Sequence, residues 1–123
     1  MIGIGVDLVK VARIRKAYES NPRRFSEKVL SPSELVGLDS AADSSVYLAK
    51  RFAVKEAVAK ALGTGFSQGV SWQDISLVHD EFGKPCAVLV GGAAKQFEAL
   101  KGSKVLISIS DEAGLVIAYA HIS

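Results

Sequence analysis

The chain has 123 residues, 49% hydrophobic and 23% charged, with a formal net charge of +2. That length supports one domain, residues 1–123, with one core. A single cysteine, Cys86, excludes an internal disulfide and a cysteine-rich zinc site, and it is expected to be buried and inert. No apolar run is long enough to span a bilayer and no basic segment precedes one, so the expectation is a soluble, cytoplasmic protein with no membrane partner.

In the first strand Ile2, Ile4, Val6 and Leu8 alternate onto one face and put Gly3, Gly5 and Asp7 on the other. Glycine inside a strand marks close approach of another backbone. Asp7 is then placed either to meet a side chain from whatever packs there or to cap the helix that follows. Residues 10–19 repeat Val11, Ile14 and Tyr18 at helical spacing, and Asn21-Pro22 ends that helix. Its other side is basic. Residues 10–28 carry Lys10, Arg13, Arg15, Lys16, Arg23, Arg24 and Lys28 against Glu19 and Glu27, a local +5 that leaves −3 elsewhere. Such asymmetry points to an acidic partner, whether nucleic acid, anionic lipid or an acidic protein; a solvated basic face explains it equally.

Ser31-Pro32-Ser33-Glu34 reads as a capping box for a short helix ending about Asp39. The Ser and Asp cluster of residues 39–45 is a loop and cap, followed by the helix around which the chain is organised. The run is rich in alanine and ends near Leu62, with Gly63 at the left-handed cap position. Ala49, Ala53, Ala57 and Ala61 form a small-residue stripe, and Glu56 and Lys60 stand one turn apart beside it. An ordinary surface ion pair accounts for that spacing; Phe52 on the same side moves the pair towards the edge of the core, where desolvation costs more. Packing of the alanine stripe over Gly3 and Gly5 would bring Glu56 to Asp7.

Beyond a glycine-bearing loop at residues 66–71, residues 72–78 and 86–90 read as a hairpin around Gly83-Lys84-Pro85. Gly91-Gly92 opens a helix with Phe97 and Leu100 inward, closed by Gly102, and two last strands lie at residues 105–110 and 115–122. The order strand, three helices, two strands, helix, two strands predicts an α+β domain with a mostly antiparallel sheet.

Asp7 and Glu56, with Lys60 one turn away, suit a hard cation such as Mg2+ holding a substrate phosphate. Gly63-Thr64-Gly65 is not a nucleotide-binding fingerprint, and the helix dipole at that end repels anions, so a phosphate there needs Lys60. His79 and His121 read as structural.

Several ordered motifs add what spacing does not: Gly3-Ile4-Gly5-Val6-Asp7, Arg24-Phe25, Ser33-Glu34-Leu35, Arg51-Phe52-Ala53-Val54-Lys55-Glu56-Ala57 through Lys60 to Gly63-Thr64-Gly65, Gly83-Lys84-Pro85, and Ile107-Ser108-Ile109-Ser110. Over essentially its whole length the chain resembles the holo-acyl-carrier-protein synthases, the short bacterial type of 4'-phosphopantetheinyl transferase. The resemblance implies transfer of the phosphopantetheine arm from coenzyme A to a serine of apo acyl carrier protein in fatty acid biosynthesis, with release of adenosine 3',5'-bisphosphate and a requirement for Mg2+. It implies Asp7 and Glu56 as metal ligands, Glu56 and Lys60 as the groups assisting the reaction, and Lys60, Gly63, Thr64, Gly65, Lys84, Pro85 and Asp111 around coenzyme A. Arg13, Arg23, Arg24 and Lys28 would meet the carrier, and a homotrimer with active sites between subunits is expected. Many relatives have histidine where this chain has Asp111, so histidine-based proton transfer at that position is not expected here. Two other readings use the same residues: a different Mg2+-dependent phosphoryl enzyme, and a basic RNA-binding module, which would leave Asp7 and Glu56 idle and find few aromatic residues for base stacking.

Overall fold

The computed structural model of the chain describes residues 2–123. Strand β1 (Gly3–Lys10) leads into helices α1 (Val11–Ser20), α2 (Pro22–Val29), α3 (Pro32–Leu38) and α4 (Ser44–Ala61). A 3-10 turn (Trp72–Asp74), the hairpin strands β2 (Ile75–His79) and β3 (Pro85–Leu89), α5 (Gly91–Ala99), β4 (Val105–Glu112) and β5 (Leu115–Ile122) follow.

The α+β class and the antiparallel pairing agree with the sequence reading, but four helices rather than three precede the hairpin. The extra one is α2. Asn21-Pro22 ends α1 and also starts α2, because the Asn21 side chain accepts the Arg24 N–H (3.1 Å) and Pro22 occupies the first helical turn. The strand expected from Trp72 begins at Ile75, since Asp74 Oδ2 accepts the Ser71 N–H (3.1 Å) and holds one tight turn before it.

The strands form two sheets. One runs β1-β5-β4, with Asp7 opposite Ala118 and Ala118 opposite Ile109; the hairpin β2-β3 is separate, with β3 packing beside β4. Helix α4 crosses the inner face of the three-stranded sheet and is the axis of the core. Ala49, Ala53, Val54, Ala57 and Val58 have no exposed surface, and they pack with Val9, Val116, Ala118, Ala120 and Ile122. The N-terminus of α4 is fixed by Asp43, which accepts from the N–H groups of Ser45 (2.9 Å) and Val46 (3.2 Å). Its C-terminus is closed by Gly63 at φ +81°, as the cap position requires.

Among the described residues nothing packs on the outer sheet face. Ile4 and Val6 are each 52% exposed, Leu8 62%, Ile117 and Tyr119 each 42%.

The fit of α4 on β1 tolerates no side chain at the strand glycines. A Cβ on Gly5 would overlap the Ala57 carbonyl oxygen, and one on Gly3 would overlap that of Ala61. Overpacking a close contact costs about 1–3 kcal/mol, and here the obstruction is backbone, so Gly5→Val is expected to reach the top of that range. A lowered urea midpoint with unchanged slope is the expected result; an unchanged midpoint would show that the helix gives way freely.

Candidate functional site

The backbone contact between β1 and α4 brings Asp7 and Glu56 together from sequence positions 49 apart. Asp7 stands within β1 and is not a helix cap: α1 begins after Lys10, with no side-chain cap bond. Lys60 does not pair with Glu56 one turn before it. Its ammonium donates to the Val6 carbonyl (2.9 Å) and to Asp7 Oδ1 (3.3 Å), which ties the end of α4 to β1.

The electrostatics of this cluster are strained. Burial raises the Asp7 pKa above its ordinary value, opposed by the Lys60 hydrogen bond and charge and by the charge of Arg13. Burial also raises the Glu56 pKa, and the neighbouring Asp7 charge adds to it while Lys60 opposes. Two partly buried carboxylates of like charge, with one exposed ammonium bonded to Asp7 but not to Glu56, lack positive charge at neutral pH. A hard divalent cation fits that deficit. Among the described residues no third His, Cys, Asp or Glu joins the pair. A metal here would draw its remaining ligands from water and substrate oxygens, the usual situation of Mg2+ rather than of Ca2+ or Zn2+.

Gly63, Thr64 and Gly65 continue from the end of α4 just past Lys60, and Thr64 Oγ1 donates to the Gly65 carbonyl (2.8 Å). Phe66 stacks on Trp72 (ring centroids 3.9 Å, 13° between planes) and Trp72 meets Phe52 (5.0 Å), so this loop is pinned against α4.

Other predicted site residues lie apart. Lys84 and Pro85 are in the hairpin, which packs beside β4, at the opposite edge of the three-stranded sheet from β1. Asp111 lies near the end of β4, 3.9 Å from the Lys50 ammonium, in the wall of a cavity of about 540 Å³ with Lys10, Arg15 and Glu112. Cys86 is half-buried in β3 rather than buried; its thiol is 3.6 Å from the Lys84 carbonyl oxygen.

On the basic segment, Arg23 pairs with Glu27 (3.0 Å) in an exposed position, and Arg24 and Lys28 border a shallow cavity of about 340 Å³ with Phe25 and Asn21. Arg13 is exposed, and its charge is the smallest of the influences that oppose the raised Asp7 pKa.

Sequence reasoning missed one feature. Lys55 and Glu34, each part of a motif and Glu34 also a helix cap, are both buried and bonded to each other (2.6 Å). A lysine flanked by Val54 and the alanine stripe was the available signal, since lysine is almost never fully buried unless paired.

The chain is similar to known proteins over nearly all of its length. The family model of the 4'-phosphopantetheinyl transferase superfamily matches residues 3–120. A holo-[acyl-carrier-protein] synthase of Shewanella amazonensis is 45% identical over 120 residues, covering 98% of this chain and 96% of the relative. The crystal structure of the holo-[acyl-carrier-protein] synthase from Neisseria meningitidis superposes with a TM-score of 0.95 at 38% identity, covering 100% of this chain and 98% of that one. That of Helicobacter pylori in complex with coenzyme A gives 0.85 at 34% identity, covering 98% and 99%. A family match from the first strand into the last, together with a shared fold at this identity, establishes that the chain belongs to the 4'-phosphopantetheinyl transferase superfamily.

Proposed function

We propose that residues 1–123 form one transferase domain that moves the 4'-phosphopantetheine arm of coenzyme A onto a serine of apo acyl carrier protein, in fatty acid biosynthesis in the cytoplasm. The observation that carries this reading is the convergence of Asp7, Glu56 and Lys60 at the β1–α4 contact, in a chain of this family.

Asp7 and Glu56 would hold Mg2+, which when bound supplies positive charge to the pyrophosphate of coenzyme A. The serine Oγ forms a bond to the phosphorus that carries the pantetheine arm, and the bond from that phosphorus to the bridging oxygen breaks, releasing adenosine 3',5'-bisphosphate. Glu56 accepts the serine proton, and Lys60 neutralises charge on the phosphate oxygens. Gly63, Thr64 and Gly65, which follow Lys60 at the end of α4, would line coenzyme A.

Lys84, Pro85 and Asp111 would contribute from another copy of the chain, the hairpin lying beside the far edge of the sheet from β1. The position of the hairpin beside the far edge of the sheet from β1 supports a homotrimer with shared sites, and so does the outer sheet face, where Ile4, Val6, Leu8, Ile117 and Tyr119 are exposed together. The acidic surface of a carrier would dock on Arg13, Arg23, Arg24 and Lys28. Among the described residues no helix is long and apolar enough to cross a membrane.

Incubation with coenzyme A, Mg2+ and apo carrier should raise the carrier's mass by one phosphopantetheine. Glu56→Gln and Asp7→Asn should each lower turnover by about a hundredfold or more while the circular dichroism melt stays close to wild type, since both preserve volume. Because both carboxyl pKa values are raised, protonation sets in at higher pH than for exposed carboxylates. Mg2+ affinity measured by calorimetry should therefore weaken as pH falls towards that range, earlier than for an exposed pair. Normal turnover of both variants at limiting Mg2+ would remove the assignment.

Arg24→Glu should raise the carrier KM about tenfold at low salt and leave the coenzyme A KM unchanged, with the gap narrowing above about 0.15 M salt, where the Debye length is about 8 Å. Loss of RNA retention with an unchanged carrier KM would favour the binding-module reading instead.

Ile117→Lys on the outer face should shift the sedimenting species to the monomer and reduce activity in parallel. A fully active monomer would rule out shared sites.

A further inference from the structure

The reaction described above makes no use of the buried charge at the middle of α4. The Lys55 side chain has no exposed surface, and its ammonium donates three hydrogen bonds: to the Val29 carbonyl (2.7 Å), to Glu34 Oε1 (2.6 Å) and to the Trp72 carbonyl (3.0 Å). These acceptors come from the last residue of α2, the first turn of α3 and the 3-10 turn before β2. Glu34 is itself saturated: Oε1 also accepts from the Ser31 N–H (2.9 Å) and Oε2 from the Leu77 N–H (2.9 Å). Arg51, one turn before Lys55, lies 3.5 Å over the Tyr47 ring, and the Tyr47 hydroxyl donates to the Glu34 carbonyl (2.7 Å).

Burial pulls the Lys55 pKa down, and the Glu34 carboxylate opposes that. An apolar group of similar volume would hold these segments together as well or better, because desolvating two charges offsets most of their attraction. What the ammonium adds is direction. All three of its protons are satisfied only when α2, α3 and the 3-10 turn occupy one arrangement about α4, and any slip strands a buried charge. Helix α4 is in turn seated on β1 by the glycine contact, which already fixes Glu56 relative to Asp7. Helix α2 carries Arg23, Arg24 and Lys28, so the bond from Lys55 to Val29 sets the offset between the carboxylate pair and the basic face.

We infer that Lys55 is a positioning residue: with Glu34 it holds the basic α2 face in register with Glu56, so that an acidic carrier docked on α2 presents its serine hydroxyl to that carboxylate. The inference rests on the transfer reading above.

The test is the neutral pair Lys55→Met with Glu34→Gln, alongside Glu34→Gln alone, which leaves Lys55 its two carbonyl acceptors. A small misplacement of reacting groups costs up to about a hundredfold in rate, so kcat at saturating carrier should fall about ten- to hundredfold in the double variant and less in the single one. Calorimetric affinity for coenzyme A with Mg2+ should stay within about twofold, as should the carrier KM, because neither binding surface has been altered. A wild-type kcat in the folded double variant would overturn the inference. So would coenzyme A affinity that declines in step with melting temperature, or two variants too unfolded to assay, since either outcome would assign the network to stability alone. A wild-type protein that leaves the carrier's mass unchanged would overturn the transfer reading itself, and this inference with it.

Discussion

Backbone packs on backbone where α4 lies across β1, and the arrangement of the site depends on that contact. Gly3 and Gly5 supply no side chain at the positions where the carbonyls of Ala61 and Ala57 arrive, and the alanine stripe keeps the helix side of the interface equally thin. A larger residue on either side would lift α4 away from the strand. Asp7 is the next residue of the strand on the same face, and Glu56 and Lys60 flank the stripe. The lysine reaches back to Val6 and Asp7 because the two elements are this close.

Closeness has an electrostatic consequence. Two carboxylates that would ionise freely in water are partly desolvated and repel each other, and Lys60 compensates only in part. Such an arrangement is unfavourable for a protein whose only requirement is to fold, and it is the setting in which a divalent cation and an anionic substrate gain most. Lys55 follows the opposite logic on the next residue of the same helix. There the charge is fully buried, every donor is used, and nothing is left over for a ligand. One helix thus carries an undercompensated pair of carboxylates at its surface and, in the core, a lysine whose three donors are all used.

The remaining groups are spread around the molecule. The hairpin with Lys84 and Pro85 lies beyond β4, whereas Asp111 at the end of β4 shares a cavity wall with Lys10 and Arg15 of the basic segment, and the outer sheet face carries exposed apolar side chains. On the proposed reading a single chain holds only part of the site, with the hairpin supplied by another copy. Assembly of copies through the apolar face is the economical way to bring such parts together.

Much of this was determined by the sequence alone. Period-two alternation marked β1 and β4, and the turn before Leu115 marked β5; alanine content and Gly63 marked α4; and the glycine face of β1 matched the alanine stripe closely enough to place Glu56 beside Asp7. These features are local or depend on one complementary pair of surfaces. Tertiary structure alone decided the rest. Asn21-Pro22 ends one helix and starts another, and the same residues signal both. Strand patterns carry no partner information, so the division into two sheets was not legible. Lys60 binds Asp7 instead of Glu56, and Glu34 binds Lys55 as well as capping α3, because a side chain bonds to whatever the fold brings within reach, and positions 21 residues apart along the chain are joined only by packing.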